Sequence, residues 1–511
     1  MKKLQSPKPM CGKLATFAIV ASAMLPLFAA TNITENVKFA YPFNDGMVLQ
    51  REKPIAVWGT AAAGERVTVT FAGQSVQSTA GADGRWLAHL APMAASAEGR
   101  ELAANGAVVK DVLVGEVWLC AGQSNMYMQM WSYTHVFQHG NRETNGYLDA
   151  AIVDEPNVRA CTVPRTWSVQ PKIPAQRLVW QRLQPGRQQA LSAIAFHYSI
   201  ILHHTLKVPV GVIVVASGAT NIETWTSPDG FRSVPSLAAY AEKPLLSAPP
   251  PGTSKRDWDV LRAKNQPRAM WNGMIYPLVP FTFRGTLWYQ GESSREQGIA
   301  YKEYLTALWN GWSKAFENPE MPFYLVQIAP YDYDMKPDDP RATDCDIWEA
   351  EAAFARENPY AGMVSIVDVG EHDNIHPGDK RTVAIRLAAL ALNRTYGRKD
   401  VPCDGPEVVS AAVKGDVVML KFNHVRKWLM HGTDPAPFEL AGADGKFVPA
   451  TAKYMDGAVE LRARGVAEPK QVRYLWNWCG KGRLKNDYGF PLAPFHMRSL
   501  VPARLQSRAV P

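Results

Sequence analysis

Between residues 113 and 397, short apolar runs alternate with longer amphipathic segments, and this alternation limits the architecture more than any other feature of the chain. The runs are Val117–Cys120, Val210–Val215, Gly285–Tyr289, Phe323–Ile328 and Met363–Val367. Helical spacing is predicted over Ser192–Leu206, Tyr301–Phe316, Ile347–Arg356 and Asp379–Arg394. A strand that is apolar at every position has no face to give to water, so both faces must be covered. Strands alternating with helices provide that cover as a parallel sheet with helices on both sides. The core is therefore read as α/β.

The flanks follow a different pattern. Residues 31–112 read as an N-terminal β-sandwich module. Arg66-Val67-Thr68-Val69-Thr70-Phe71 alternates with period two, and Ala72-Gly73 and Asp83-Gly84 supply turns. Residues 398–511 form a β-rich C-terminal region with stretches such as "VVSAAVKGDVVMLKF" and "VRYLWNW". Within the α/β part, residues 226–265 are rich in Pro and Ser and read as a surface excursion.

Residues 1–30 have the build of a signal peptide. Lys2, Lys3, Lys8 and Lys13 precede or flank an apolar run from Leu14 that ends in small residues at Ala30. The implied address is outside a bacterial cytoplasm, periplasmic or extracellular. Cys11 precedes the apolar run, so no lipoprotein signal is read, and no later segment is long and apolar enough to span a bilayer. Losing the four lysines lowers the formal charge from +8 to +4. That mild balance, without a basic block, argues against a nucleic-acid partner. The other cysteines, Cys120, Cys161, Cys345, Cys403 and Cys479, are odd in number and widely spaced, which argues against a zinc site. Disulfides stay open, and Cys120 reads as a core residue.

The chemistry centres on "GEVWLCAGQSNM". Ser124 follows the first sheet strand at its C-terminal end, the edge where open α/β sheets collect their reacting groups. Gly122 permits a sharp turn there. A serine hydroxyl needs a base, and taken alone Ser124 fits a helix N-cap better than a nucleophile. His376 is the candidate base, because Asp373 stands three residues earlier and a carboxylate at that spacing can curl back onto the imidazole. Taken alone, Asp373 also fits a turn cap and His376 a surface histidine. His372 lacks such a carboxylate, since position 369 is Val. Oxyanion donors are sought in the Ser124 and Gly218 backbone N–H groups and the Gln290 amide, each just past a predicted strand. His197, His203 and His204 share one predicted helix, but adjacent positions diverge, so no metal is placed there.

"GEVWLCAGQSNM", "PVGVIVVASGATNIETW", "WNGMIYPL", "LWYQGESS" and "DNIHPGDKRTVAIRLA" together resemble the sialate O-acetylesterase family of SGNH (GDSL-type) hydrolases. The resemblance extends to "NDGMVLQREKPIAVWGTAAAGERVTV" and to "VRYLWNW…KNDYGFPLAPF", so it covers nearly all of the mature chain. It implies a flavodoxin-like sheet, with Ser124 as nucleophile, His376 as general base and Asp373 as its partner. It also implies an oxyanion hole of Ser124, Gly218 and Gln290, with no cofactor or metal, and a loop-shaping role for Glu292. The implied substrate is an O-acetylated sugar, sialic acid first, with acetylated xylan or another polysaccharide as the alternative. A binding protein with an inert core is the third reading. Arg295 is a candidate contact for a sugar carboxylate. The chain departs from the family at Ser217-Gly218-Ala219-Thr220, where Trp-Gly-Gly-Thr is usual. Oligomeric state is not legible.

Overall fold

The computed structural model describes residues 37–131, 146–258, 262–333, 345–430, 438–478 and 482–500. The predicted targeting segment and Cys479 lie outside them. The central sheet runs, from edge to edge, Gln181–Leu183, Glu155–Thr162, Val210–Ala216, Ala107–Gly122, Gly285–Tyr289, Phe323–Val326, Ala361–Val364. Gln181–Leu183 is antiparallel to its neighbour, and every other pair in that series is parallel. Each of the five predicted runs overlaps a strand, although the last two strands end early, at Val326 and Val364. Glu155–Thr162 was not foreseen, because Pro156, Asn157 and Arg159 break its apolar run.

Alternate side chains of the central strand enter separate cores. Val117, Leu119 and Ala121 pack with Trp288, Trp312 and Trp348 on one face, under the Tyr301–Ala315 and Asp346–Glu357 helices. Trp118 and Cys120 pack with Tyr198, Leu202 and Leu387 on the other, under Ala193–Leu206 and Lys380–Arg394. Each buried Val or Leu among them contributes about 1.5–3 kcal/mol. Ser192 caps its helix by accepting from Ala195 N at 3.2 Å, and Asp379 caps its helix by accepting from Thr382 N at 2.9 Å. These caps fix where the two helices begin.

The N-terminal strands are antiparallel: Ile55–Thr60 lies between Lys38–Phe39 and Arg85–Leu90. Arg66–Phe71 and Ser96–Ala104 lead onto the first half of Ala107–Gly122. That strand continues without a break into the parallel sheet, where it meets Val210 at Glu116. At this crossing Glu116 is buried and accepts from Gln50, Arg51 and Arg284. Burial pushes its carboxyl up, but the two guanidiniums outweigh burial and hold it below its ordinary value.

The C-terminal region is a seven-stranded antiparallel sheet with its own core. The Pro- and Ser-rich excursion is not structureless: Phe231, Leu237 and Ala241 bury themselves against Ala307. Among the described residues no helix is long and apolar enough to cross a membrane.

Candidate active site

Ser124 sits where three parallel strands end together. Ala216 and Tyr289 both stand in register with Gly122. Gly122 has φ +142°, and a Cβ there would lie 2.1 Å from the Tyr289 carbonyl oxygen. Only glycine lets the chain turn this close to its neighbour. The next residues are pinned, because Gln123 N donates to Tyr289 O at 3.0 Å and Ser217 N donates to Gly122 O at 3.1 Å. Ser124 then opens the short Ser124–Tyr127 helix, half-buried.

His376 comes from the loop after the last parallel strand. Its Nε2 lies 2.8 Å from Ser124 Oγ, across 252 positions of sequence. The loop is organised by Glu371, which accepts from Asn374 Nδ2 at 3.1 Å and from Gly378 N at 3.0 Å. Asn374 Oδ1 in turn accepts from His376 N at 3.0 Å. Burial, and after it the Lys380 charge, hold the imidazole pKa below its ordinary value, so the ring is a neutral base at pH 7.

Asp373 does not join them. It is exposed, and among the described residues it makes no hydrogen bond or ion pair with His376. The carboxylate with a structural hold on this loop is Glu371, a residue the Asp-x-x-His spacing did not single out. His372 is exposed as well, and its carbonyl accepts from Asp332 N.

Gly218 faces the nucleophile. A Cβ on it would lie 3.3 Å from Ser124 Cβ. The backbone N–H groups of Ser124 and Gly218 have no acceptor among the described residues. The Gly218 carbonyl is held from behind by Lys264 Nζ at 2.7 Å, and Asn265 Nδ2 holds the Ala219 carbonyl at 2.9 Å. Ala219 has φ +53°, a left-handed conformation suited to the glycine usual at this position.

Gln290 is near but differently engaged. Its amide is buried, and Nε2 donates to Thr220 O at 2.9 Å and to Ser294 Oγ at 3.0 Å. Its Oε1 accepts from Tyr301 OH at 2.6 Å. Both amide hydrogens are therefore committed within the protein, and the side chain ties two loops together. Arg295 is stacked on Tyr333, 4.2 Å above the ring, and donates to Glu292 O at 3.4 Å.

Sequence reasoning singled out Glu292 but missed the buried polar groups that join it behind the pair. Asn125 Nδ2 donates to Glu292 Oε1 at 2.5 Å and to Ile375 O at 3.0 Å, and Asn125 Oδ1 accepts from Lys380 Nζ at 2.6 Å. The one signal for Asn125 was an amide directly after the serine, and nothing in the sequence set Lys380 apart. Glu292 is buried, and burial pushes its carboxyl up. Of the histidines predicted to share a helix, His197 is buried, whereas His203 and His204 both turn to Glu155.

Acyl transfer needs a hydroxyl, a neutral base within reach and free donors for an oxyanion. This sheet edge brings those three together. A family model described as "Carbohydrate esterase, sialic acid-specific acetylesterase" matches residues 114–392. Sialate O-acetylesterase of Homo sapiens is 29% identical over 430 residues, spanning 76% of this chain and 77% of the human protein. The Mus musculus sialate O-acetylesterase is 28% identical over 520 residues, spanning 91% of this chain and 93% of the mouse protein. Among solved structures, a carbohydrate acetylesterase from Xanthomonas citri superposes with TM-score 0.77 at 27% identity, covering 90% of this chain and 99% of that one.

Proposed function

This chain belongs to the carbohydrate esterase family of sialic acid-specific acetylesterases, and on that footing we propose that it removes O-acetyl groups from sialic acids through an acetyl-enzyme on Ser124. The observation that carries the reading is the 2.8 Å contact between His376 Nε2 and Ser124 Oγ at the carboxyl edge of the sheet. Leaving aside Glu155–Thr162, the parallel strands run 2-1-3-4-5 across the sheet in chain order. That order supports the flavodoxin-like, SGNH-type fold, and it reverses beside the strand that delivers Ser124.

His376 takes the Ser124 proton as Oγ attacks the acetyl carbonyl. The Ser124 and Gly218 N–H groups hold the oxyanion, each worth about a hundred- to a thousandfold in turnover. The sugar oxygen leaves with the proton from His376. Water, activated by the same ring, then releases acetate. Asp373 is exposed and makes no contact with the imidazole in this arrangement, and Asp373→Asn measures what it contributes. The chain is further proposed to act outside the cytoplasm after removal of residues 1–30, which fractionation of cells expressing it would test.

The test of the activity is acetate release by the purified protein from O-acetylated sialic acid and from acetylated xylan, with Ser124→Ala alongside. Faster release from sialic acid, abolished by Ser124→Ala, is expected. Faster release from xylan would move the reading to a polysaccharide deacetylase. Unchanged turnover by Ser124→Ala would end the serine assignment.

A further inference from the structure

The buried amide of Asn125 joins three parts of the site. It belongs to the residue after the nucleophile. It donates to the carbonyl of Ile375, the residue before His376, at 3.0 Å. Its second donation goes to Glu292, on the loop after the Gly285–Tyr289 strand, at 2.5 Å. Its oxygen receives the ammonium of Lys380 at 2.6 Å. Lys380 is itself buried, is the first residue of the Lys380–Arg394 helix, and lies 5.6 Å from the centroid of the Tyr289 ring. An amide is the one side chain of this size that both accepts from an ammonium and donates twice. Aspartate would fit the space but would lose both donations and set two carboxylates against each other.

We propose that Asn125 and Lys380 are positioning residues that hold the His376 loop against Ser124 through the Ile375 carbonyl, doing through the backbone what a carboxylate on the imidazole does in a three-residue triad. The inference rests on the Ser124 esterase reading. It accounts for a base aligned on its nucleophile at 2.8 Å while Asp373 is exposed. It also gives a role to a buried lysine that otherwise has none. Keeping a lysine in the interior is costly unless its charge has work to do.

The charge has a second consequence. The ionisable groups that act on Lys380 are Glu292 from one loop and Glu371 and Asp379 from the other, and burial pushes its pKa down to about 7. It is therefore a cation at the lower pH where an imidazole gains its proton. Of the groups near His376, Glu371 is committed to its own loop and Asp373 is exposed, so the Lys380 charge is the one that acts on the ring after burial itself. Removing that charge lets the imidazole protonate more readily. The acid limb of kcat/KM then moves to higher pH.

The experiment measures kcat, KM and the pH profile on a synthetic acetyl ester for Asn125→Ala, Lys380→Met, Lys380→Arg and Asp373→Ala, with Ser124→Ala as the control. Expected are a kcat loss of about ten- to a hundredfold for Asn125→Ala with KM nearly unchanged, as for a misplaced reacting group. Lys380→Met should shift the acid limb upward, Lys380→Arg should restore it, and Asp373→Ala should cost far less than Asn125→Ala. The proposal is overturned if Asn125→Ala leaves kcat unchanged, if Lys380→Met leaves the limb where it was, or if Asp373→Ala costs as much as Asn125→Ala. Should Asn125→Ala fail to fold, the Lys380 pair decides alone. Residual full turnover in Ser124→Ala would instead bring down the esterase reading itself.

Discussion

The two walls of the crevice are built in different ways. On the Ser124 side, position comes from backbone register: three parallel strands end level at Gly122, and a short turn presents the hydroxyl. On the His376 side there is no sheet. A loop hangs between the last parallel strand and the Lys380–Arg394 helix, and side-chain hydrogen bonds from Glu371, Asn374 and Asn125 give it shape. The first wall is specified by main-chain geometry and tolerates variation in what surrounds it. The second depends on particular amides and carboxylates, so single substitutions there can misalign the base while the fold stands.

Four substitutions sharpen that contrast. His376→Ala should lower turnover by about 10⁴-fold or more with the folded state intact by circular dichroism, since the loop contributes chemistry more than packing. Gly122→Ala attacks the other wall. Its Cβ would lie 2.1 Å from Tyr289 O in a backbone with φ +142°, and denaturant titration should show a loss of about 3 kcal/mol. A smaller effect is expected for Gln290→Ala, which strips partners from Thr220 O, Ser294 Oγ and Tyr301 OH. About 2 kcal/mol of stability should go, with kcat of the folded enzyme reduced less than about tenfold. A drop of about a hundred- to a thousandfold at unchanged stability would restore the oxyanion role expected from its place in the sequence. Smallest is Ala219→Gly, which relieves a residue at φ +53°. Its gain should be no more than about 1 kcal/mol in thermal or chemical unfolding, because the freer unfolded chain offsets part of the relief.

What could be read from the chain follows the same division. The five apolar strands and four covering helices were legible because period and apolarity are local properties. Ser124 was legible because it ends such a strand. Glu155–Thr162 was not, since a strand carrying Pro156 and Arg159 lacks the continuous apolar run of its neighbours. The small core of Phe231, Leu237 and Ala241 was hidden inside a segment whose Pro and Ser content reads as loop. His376 was found through its spacing from Asp373, yet the structure ties the loop through Glu371 and Asn125 instead. Spacing along a chain says which residues can meet, not which hydrogen bonds win. Gln290 shows the same limit, because nothing local reveals that both of its amide hydrogens are taken by Thr220 and Ser294.

The Ala107–Gly122 strand has a wider consequence. It is sixteen residues long, at most about 50 Å at ~3.3 Å per residue, and bends once at Asp111, where φ is +55°. One end is stitched into the N-terminal module and the other stops two residues short of the nucleophile. A cut near residue 112 would saw through this beam instead of parting two bodies at a joint, and a fragment starting there would inherit a nucleophile on a strand stripped of the Ser96–Ala104 pairing at its root. The outer module is thus a foundation for the hydroxyl, whatever else it does.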